Sequence, residues 1–228
     1  RKILIDTGMG DKQDAKFRSF FHPHGDNTLV SSLEKKGFAP EDITDVFLTH
    51  FHFDHVGGAV KYDDQGKLVP TFPNATYWSN KRHYDWAMDP NPREKASFLK
   101  ENFKPLMEAG VLKFIEVSEE DVNWLPNIDI RYVYGHTEAM MLPILKGKEK
   151  TLVYCADLLP SAGHLGGPYV MSYDLRPLDT MEEKSRLLGE ALKDDFLLFF
   201  EHDPAATCIK VVKNEKGRWV NFKGELPK

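Results

Sequence analysis

His50-Phe51-His52-Phe53-Asp54-His55 places three imidazoles and one carboxylate within six residues, behind the apolar run Val46-Phe47-Leu48-Thr49 and ahead of Gly57-Gly58. Borderline-soft divalent ions favour neutral imidazole nitrogen with some carboxylate oxygen, so this is a metal-ligand density. His50 and His52, two apart, project to the same side, while Asp54 and His55 at the following turn reach towards a second ion. Phe51, Phe53 and Val56 alternate with the polar positions and wall the site with apolar surface, and Gly57-Gly58 permits a tight backbone turn. The competing reading is a histidine-rich surface loop, or core imidazoles bonded to backbone carbonyls.

Three further strand ends weigh against that bland reading. Tyr132-Val133-Tyr134-Gly135 runs into His136, Leu152-Val153-Tyr154-Cys155-Ala156 into Asp157, and Leu197-Leu198-Phe199-Phe200-Glu201 into His202. Four apolar runs each deliver a metal-capable side chain at the carboxyl end. In open sheets ligands bind at that edge, because loops there carry polar groups that the buried strand interior could not tolerate.

The 228 residues carry 30 Lys+Arg against 35 Asp+Glu, a formal net charge of −5, and 41% are hydrophobic. A chain of this size buries roughly 70% of its unfolded surface, which excludes disorder as the main state. No uncharged apolar run approaches the ~18 residues of a membrane span, and no basic block tracks a phosphate backbone, so neither membrane insertion nor nucleic-acid binding is expected. Cys155 and Cys208 are too few for a disulfide scaffold, and a reducing, cytoplasmic setting is the expectation.

Read for organisation, residues 1–228 form one domain without repeats. A strand over Lys2–Ile5 stops at Asp6-Thr7-Gly8. Asn27 is expected to cap a helix from about Thr28 to Lys36, with Gly37 after its end. A buried strand spans Asp45–Thr49, residues 63–74 read as turns, and Thr76–Trp78 as strand. A polar helical region is expected from about Asn80 to Ala109, closed by Gly110. Strands follow near Ile130–Tyr134, Met141–Leu145 and Leu152–Cys155, a helix near Met181–Leu192, and strands near Phe196–Phe200 and Cys208–Val212. The mixture points to layered α/β architecture.

His-X-His-X-Asp-His, the later Gly135-His136-Thr137, the lone Asp157 and His202, and the upstream Asp6-Thr7-Gly8 resemble the metallo-β-lactamase superfamily, from Leu4 to His202. The resemblance implies a four-layer αββα sandwich with a dinuclear site at one edge. It assigns His50, His52 and His136 to the first metal, Asp54, His55 and His202 to the second, and Asp157 as the bridging carboxylate. It implies two zinc ions per chain, with iron, manganese or cobalt as alternatives, sharing a hydroxide that attacks an electrophilic carbonyl or phosphoryl centre. Asp54 would relay a proton to the leaving group. The family pattern also leads one to expect about 30 to 60 residues of hairpin ahead of Arg1, whose loss would expose an edge of the first sheet.

The departures narrow the branch. Members with zinc β-lactamase activity lack the bridging Asp, and Thr137-Glu138-Ala139-Met140 loses the trailing His of the glyoxalase II thioesterases. The pattern is similar to N-acyl homoserine lactonases and methyl-parathion-type hydrolases, which implies a lactone or ester substrate. Organophosphate or thioester hydrolysis and a mononuclear iron, persulfide dioxygenase-like reaction are the alternatives. The expected partner is a small molecule, and the chain itself in a homodimer. Cys155 stands either as a packed thiol or as a thiolate ligand, and Asp6 either as a ligand-orienting carboxylate or as a turn residue before Gly8. His164, Tyr169 and Tyr173, in the loop after Asp157, are candidate substrate contacts or simple packing. His22 and His24 read as loop residues and His83 as structural.

Overall fold

The apolar runs that the sequence sets before its metal-capable residues become the strands of two sheets. The computed structural model describes residues 1–222, in two compact units, Arg1–Glu116 and the described residues from Val117 onward. Among the described residues no helix is long and apolar enough to cross a membrane.

The first unit contains β1 (Ile3–Ile5), α1 (Ala15–Phe21), α2 (Leu29–Glu34), β2 (Asp45–Phe47), α3 (Phe53–Val56), β3 (Val60–Tyr62), β4 (Leu68–Pro70), β5 (Thr76–Ser79), α4 (Lys81–Met88), α5 (Lys104–Glu108) and β6 (Leu112–Phe114). Its main sheet runs β1-β2-β5-β6 with every neighbouring pair parallel. Parallel strands are covered on both faces, which is why β2 and the residues after it are so apolar: Val46, Phe47 and Leu48 are fully buried. Val46 and Leu48 pack into a core with Phe51, Phe72, Tyr77, Phe103 and Leu106.

Several local expectations are corrected here. Thr28, not Asn27, caps α2, because its side chain and that of Ser31 satisfy each other's backbone N–H in a reciprocal box. Gly37 takes φ +81° after the helix as expected. The long helix expected over 80–109 stops at Met88, since Pro90 and Pro92 deny it the next turns, and resumes only as a 3-10 turn at Lys100–Asn102 and α5. The stretch read as turns holds one arm of the β3/β4 hairpin, and α1, capped by the Asp14 side chain on the Phe17 N–H, was not foreseen.

The second unit contains β7 (Val122–Leu125), β8 (Ile128–Val133), β9 (Met140–Lys146), β10 (Thr151–Tyr154), α6 (Pro177–Lys193), β11 (Leu197–Phe199), β12 (Cys208–Ile209), β13 (Val211–Lys213) and β14 (Trp219–Asn221). Six strands form one sheet in the order β12-β11-β10-β9-β8-β7. Neighbours are antiparallel except β10 and β11, which α6 joins as a parallel pair. Strands β8, β10 and β11 therefore run the same way and open their carboxyl ends at one edge. The strand expected over Cys208–Val212 divides between β12 and β13, which pairs with β14 as a separate hairpin. Helix α6 starts four residues earlier than expected, with Pro177 in its first turn, where a missing N–H costs nothing.

Two glycines set apart steric and conformational demands. A Cβ on Gly57 would meet the Met9 carbonyl oxygen at 1.9 Å, whereas one on Gly8, at φ +65°, would meet nothing within 4 Å. Gly57→Ala should therefore destabilise the fold by about 3 kcal/mol through forced displacement of backbone, and Gly8→Ala by only about 1 kcal/mol through left-handed strain. Urea unfolding midpoints measure both, and equal costs would contradict the packing described.

Candidate metal centre

In the first unit β1 and β2 end side by side, so Asp6 and Thr49-His50 emerge at the same edge. Asp6 sits at φ +53°, unusual for a residue with a side chain, and its buried carboxylate does three jobs there. Oδ1 accepts the Thr49 N–H at 2.8 Å, while Oδ2 accepts the Thr49 hydroxyl at 2.7 Å and faces His55 Nδ1 at 3.0 Å. Thr7 adds its N–H and hydroxyl to the His55 carbonyl, at 2.7 and 2.9 Å. Asp6 thus makes the bonds that an orienting carboxylate behind His55 would make.

That network assigns the tautomers. The Thr49 hydroxyl spends its proton on Asp6, so His50 Nδ1, 3.0 Å from Thr49 Oγ1, must be the donor in that pair. His50 and His55 both carry their proton on Nδ1, which makes Nε2 the unprotonated nitrogen of each buried ring. His52 faces a different carboxylate: its Nε2 lies 3.4 Å from Glu94 Oε1, and the other Glu94 oxygen accepts the Trp86 indole N–H and the Asn91 amide, each at 2.7 Å. The rings of His50 and His52 have centroids 4.6 Å apart, those of His50 and His55 4.0 Å. Asp54 opens α3 with its side chain 36% exposed and Oδ2 3.9 Å from His55 Nε2. His83 is structural, as expected: its Nε2 accepts the Phe51 N–H at 2.8 Å, which fixes the backbone between His50 and His52.

In the second unit the common edge of β8, β10 and β11 delivers His136, Asp157 and His202. His136 Nδ1 lies 2.9 Å from Asp174, its Nε2 3.2 Å from Asp157 Oδ2, and His202 Nε2 3.1 Å from Asp157 Oδ1. Glu183 of α6 accepts the Tyr134 and Gly135 N–H groups, holding the strand end that presents His136, and burial pushes its carboxyl above the usual range. Asp157 lies in a 3-10 turn that Ala156 enters at φ +41°.

The donor set suits a borderline divalent cation: imidazole nitrogens with fixed tautomers, carboxylate oxygens, and no thiolate. Cys155 is wholly buried, its sulfur 3.6 Å from the Val153 carbonyl, and burial pushes the thiol far up, so it packs and does not ligate. Of the candidate substrate contacts, His164 faces Ser161 Oγ at 2.8 Å and burial lowers its pKa. Tyr169 and Tyr173 are exposed, the latter with its ring 6.3 Å from that of His136. His22 and His24 lie exposed in a loop after α1. Sequence reasoning missed Thr49, Glu94, Asp174 and Glu183. Thr49 alone carried a signal, its place next to His50.

Asp6→Asn leaves a buried amide where three donors need an acceptor. It should cost about 2 to 4 kcal/mol in urea unfolding and lower zinc affinity about 10- to 100-fold in chelator competition. Asp174→Asn should lower zinc affinity similarly. Unchanged affinity in both variants would remove the orienting role assigned to these carboxylates.

The metallo-beta-lactamase superfamily profile matches residues 1–202. Among curated relatives, N-acyl homoserine lactonase AttM of Rhizobium radiobacter is 24% identical over 200 residues, 87% of this chain and 68% of that protein. A probable metal-dependent hydrolase from Staphylococcus aureus superposes with a TM-score of 0.82 at 22% identity, covering 98% of this chain and 79% of the other. AidC, a dizinc quorum-quenching lactonase, superposes at 0.77 and 23% identity, covering 99% and 76%. At these identities the structural likeness speaks for the fold, and with a profile match over most of its length the chain belongs to the metallo-beta-lactamase superfamily.

Proposed function

We propose that the protein is a dinuclear zinc hydrolase that opens lactones or cleaves esters, with N-acyl homoserine lactones as the first substrates to test. The observation that carries this reading is the arrangement of the donors: each unit presents imidazoles already oriented by buried carboxylates, Asp6 behind His55 and Asp174 behind His136. Four expected ligands, His50, His52, Asp54 and His55, stand on the first unit, and three, His136, Asp157 and His202, on the second. On the profile match over residues 1–202 we assign residues 1–228 to one catalytic domain. The lactonase relatives and neighbours support the substrate class.

When bound, a metal pair supplies a nucleophile from water at neutral pH and polarises the substrate oxygen. The chain's own residues then have separable tasks. Asp6, Thr49 and Asp174 hold the imidazoles in the tautomer that ligates, and Glu94 faces His52. Asp54, whose side chain is 36% exposed, would pass a proton to the leaving group. Fully buried Phe51 backs the ligand loop against the core. His164, Tyr169 and Tyr173 border the substrate on the side of His136, and the absence of a thiolate ligand fits hydrolysis assisted by oxygen and nitrogen donors alone.

The test is a turnover panel of acyl homoserine lactones, aryl esters, thioesters and organophosphates on zinc-loaded protein, with elemental analysis. We expect about two zinc per chain, fastest turnover on a lactone or ester, and loss of at least about 1,000-fold in kcat/KM for His52→Ala together with lowered metal content. Asp54→Asn should lower kcat while leaving one metal in place. One iron per chain, or activity retained in His52→Ala, would defeat the reading.

A further inference from the structure

Helix α6 buries Thr180, Lys184, Leu187, Leu188 and Ala191 on one face, a helical stripe in which a lysine is out of place. Lys184 is only 1% exposed. A buried ammonium needs acceptors for all three of its protons. Nζ finds them in three backbone carbonyls, those of His164 at 3.0 Å, Gly166 at 2.9 Å and Tyr169 at 2.5 Å.

All three carbonyls belong to the segment 158–173, whose ends are anchored on a single side chain. Asp157, just before it, touches His136 Nε2, and Asp174, just after it, touches His136 Nδ1. Between those anchors the backbone makes short turns, such as His164 N–H to Ser161 and Tyr169 N–H to Gly166, and the Asp203 carboxylate holds the Ala162 N–H near its start. The middle belongs to no helix longer than one turn and to no strand. We infer that Lys184 is a positioning residue, a cation supplied by the chain to a three-carbonyl cradle, which sets the shape of segment 158–173 and with it the choice of substrate acyl group. The cradle brings Tyr169 across Gly166, where a Cβ would meet the ring at 2.8 Å. It leaves Tyr169 and Tyr173 each 62% exposed, Tyr173 next to His136. Burial draws the ammonium down to about 8, opposed by the charge of Asp174.

The ordering half of the inference stands without the hydrolase reading, and the selectivity half rests on it, so the experiment reads them separately. Lys184→Met keeps the length and apolar stem and removes the charge. In the full-length zinc-loaded protein without substrate, hydrogen exchange of amides 161–174 should accelerate about ten-fold or more while β8 keeps its protection. With butanoyl and dodecanoyl homoserine lactones, the ratio of kcat/KM should move by about ten-fold, carried by KM, with metal content unchanged. Tyr169→Ala, which keeps the clamp, should move the ratio without accelerating exchange. Unchanged exchange in Lys184→Met overturns the clamp, and accelerated exchange with an unchanged ratio overturns its role in selectivity. Should Lys184→Met fail to fold, Gly166→Ala displaces the Tyr169 ring from the same cradle, and an unchanged ratio there overturns the selectivity claim. A wild-type protein that hydrolyses neither lactone defeats the functional reading alone, and the exchange experiment still decides the clamp.

Discussion

The first unit depends on one buried carboxylate. Asp6 terminates β1 in a left-handed conformation and collects the Thr49 backbone, the Thr49 hydroxyl and the His55 ring. A carboxylate removed from water is costly unless several donors replace its hydration. Here the donors come from the end of the neighbouring strand and from α3. The need to satisfy that charge therefore ties strand register to imidazole orientation, and the strained backbone is held because the surrounding bonds over-determine it.

The second unit solves the same problem with a different element. The His136 ring lies between Asp157 and Asp174, at the two ends of one loop, while Glu183 of α6 secures the backbone that presents it. Gly135 is required there because the chain passes so close to Thr180 that a Cβ would meet its nitrogen at 2.3 Å. The setting of His136 is thus a property of the β10–α6–β11 crossover, with Lys184 and Glu183, adjacent on α6, tied to the loop and to the strand end.

Much of the candidate site was legible because its chemistry is dense in a few residues. Three imidazoles and a carboxylate in six positions have few structural uses, and apolar runs ending in His136, Asp157 and His202 announce strand ends. What escaped notice were side chains whose role depends on distant partners. Glu94 lies beyond the proline break that ended the expected helix after Met88, and Asp174 is 38 residues from the ring it touches. Neither sits in a local pattern, so nothing nearby in the chain distinguishes them from other acidic residues. The same holds for Asp6, whose bonds to Thr49 and His55 join residues more than 40 positions apart.

The sequence by itself determined the class of strands, the edge at which they end, the metal-capable residues and the superfamily, because hydrophobic runs and clustered ligand types are local properties. Only the tertiary structure decided which ring nitrogen of His50, His55 and His136 carries the proton, that Cys155 packs against the Val153 carbonyl, and that a lysine belongs in the buried stripe of α6. Those outcomes turn on satisfying buried polar groups, and the partners that satisfy them are brought together by folding across tens of residues.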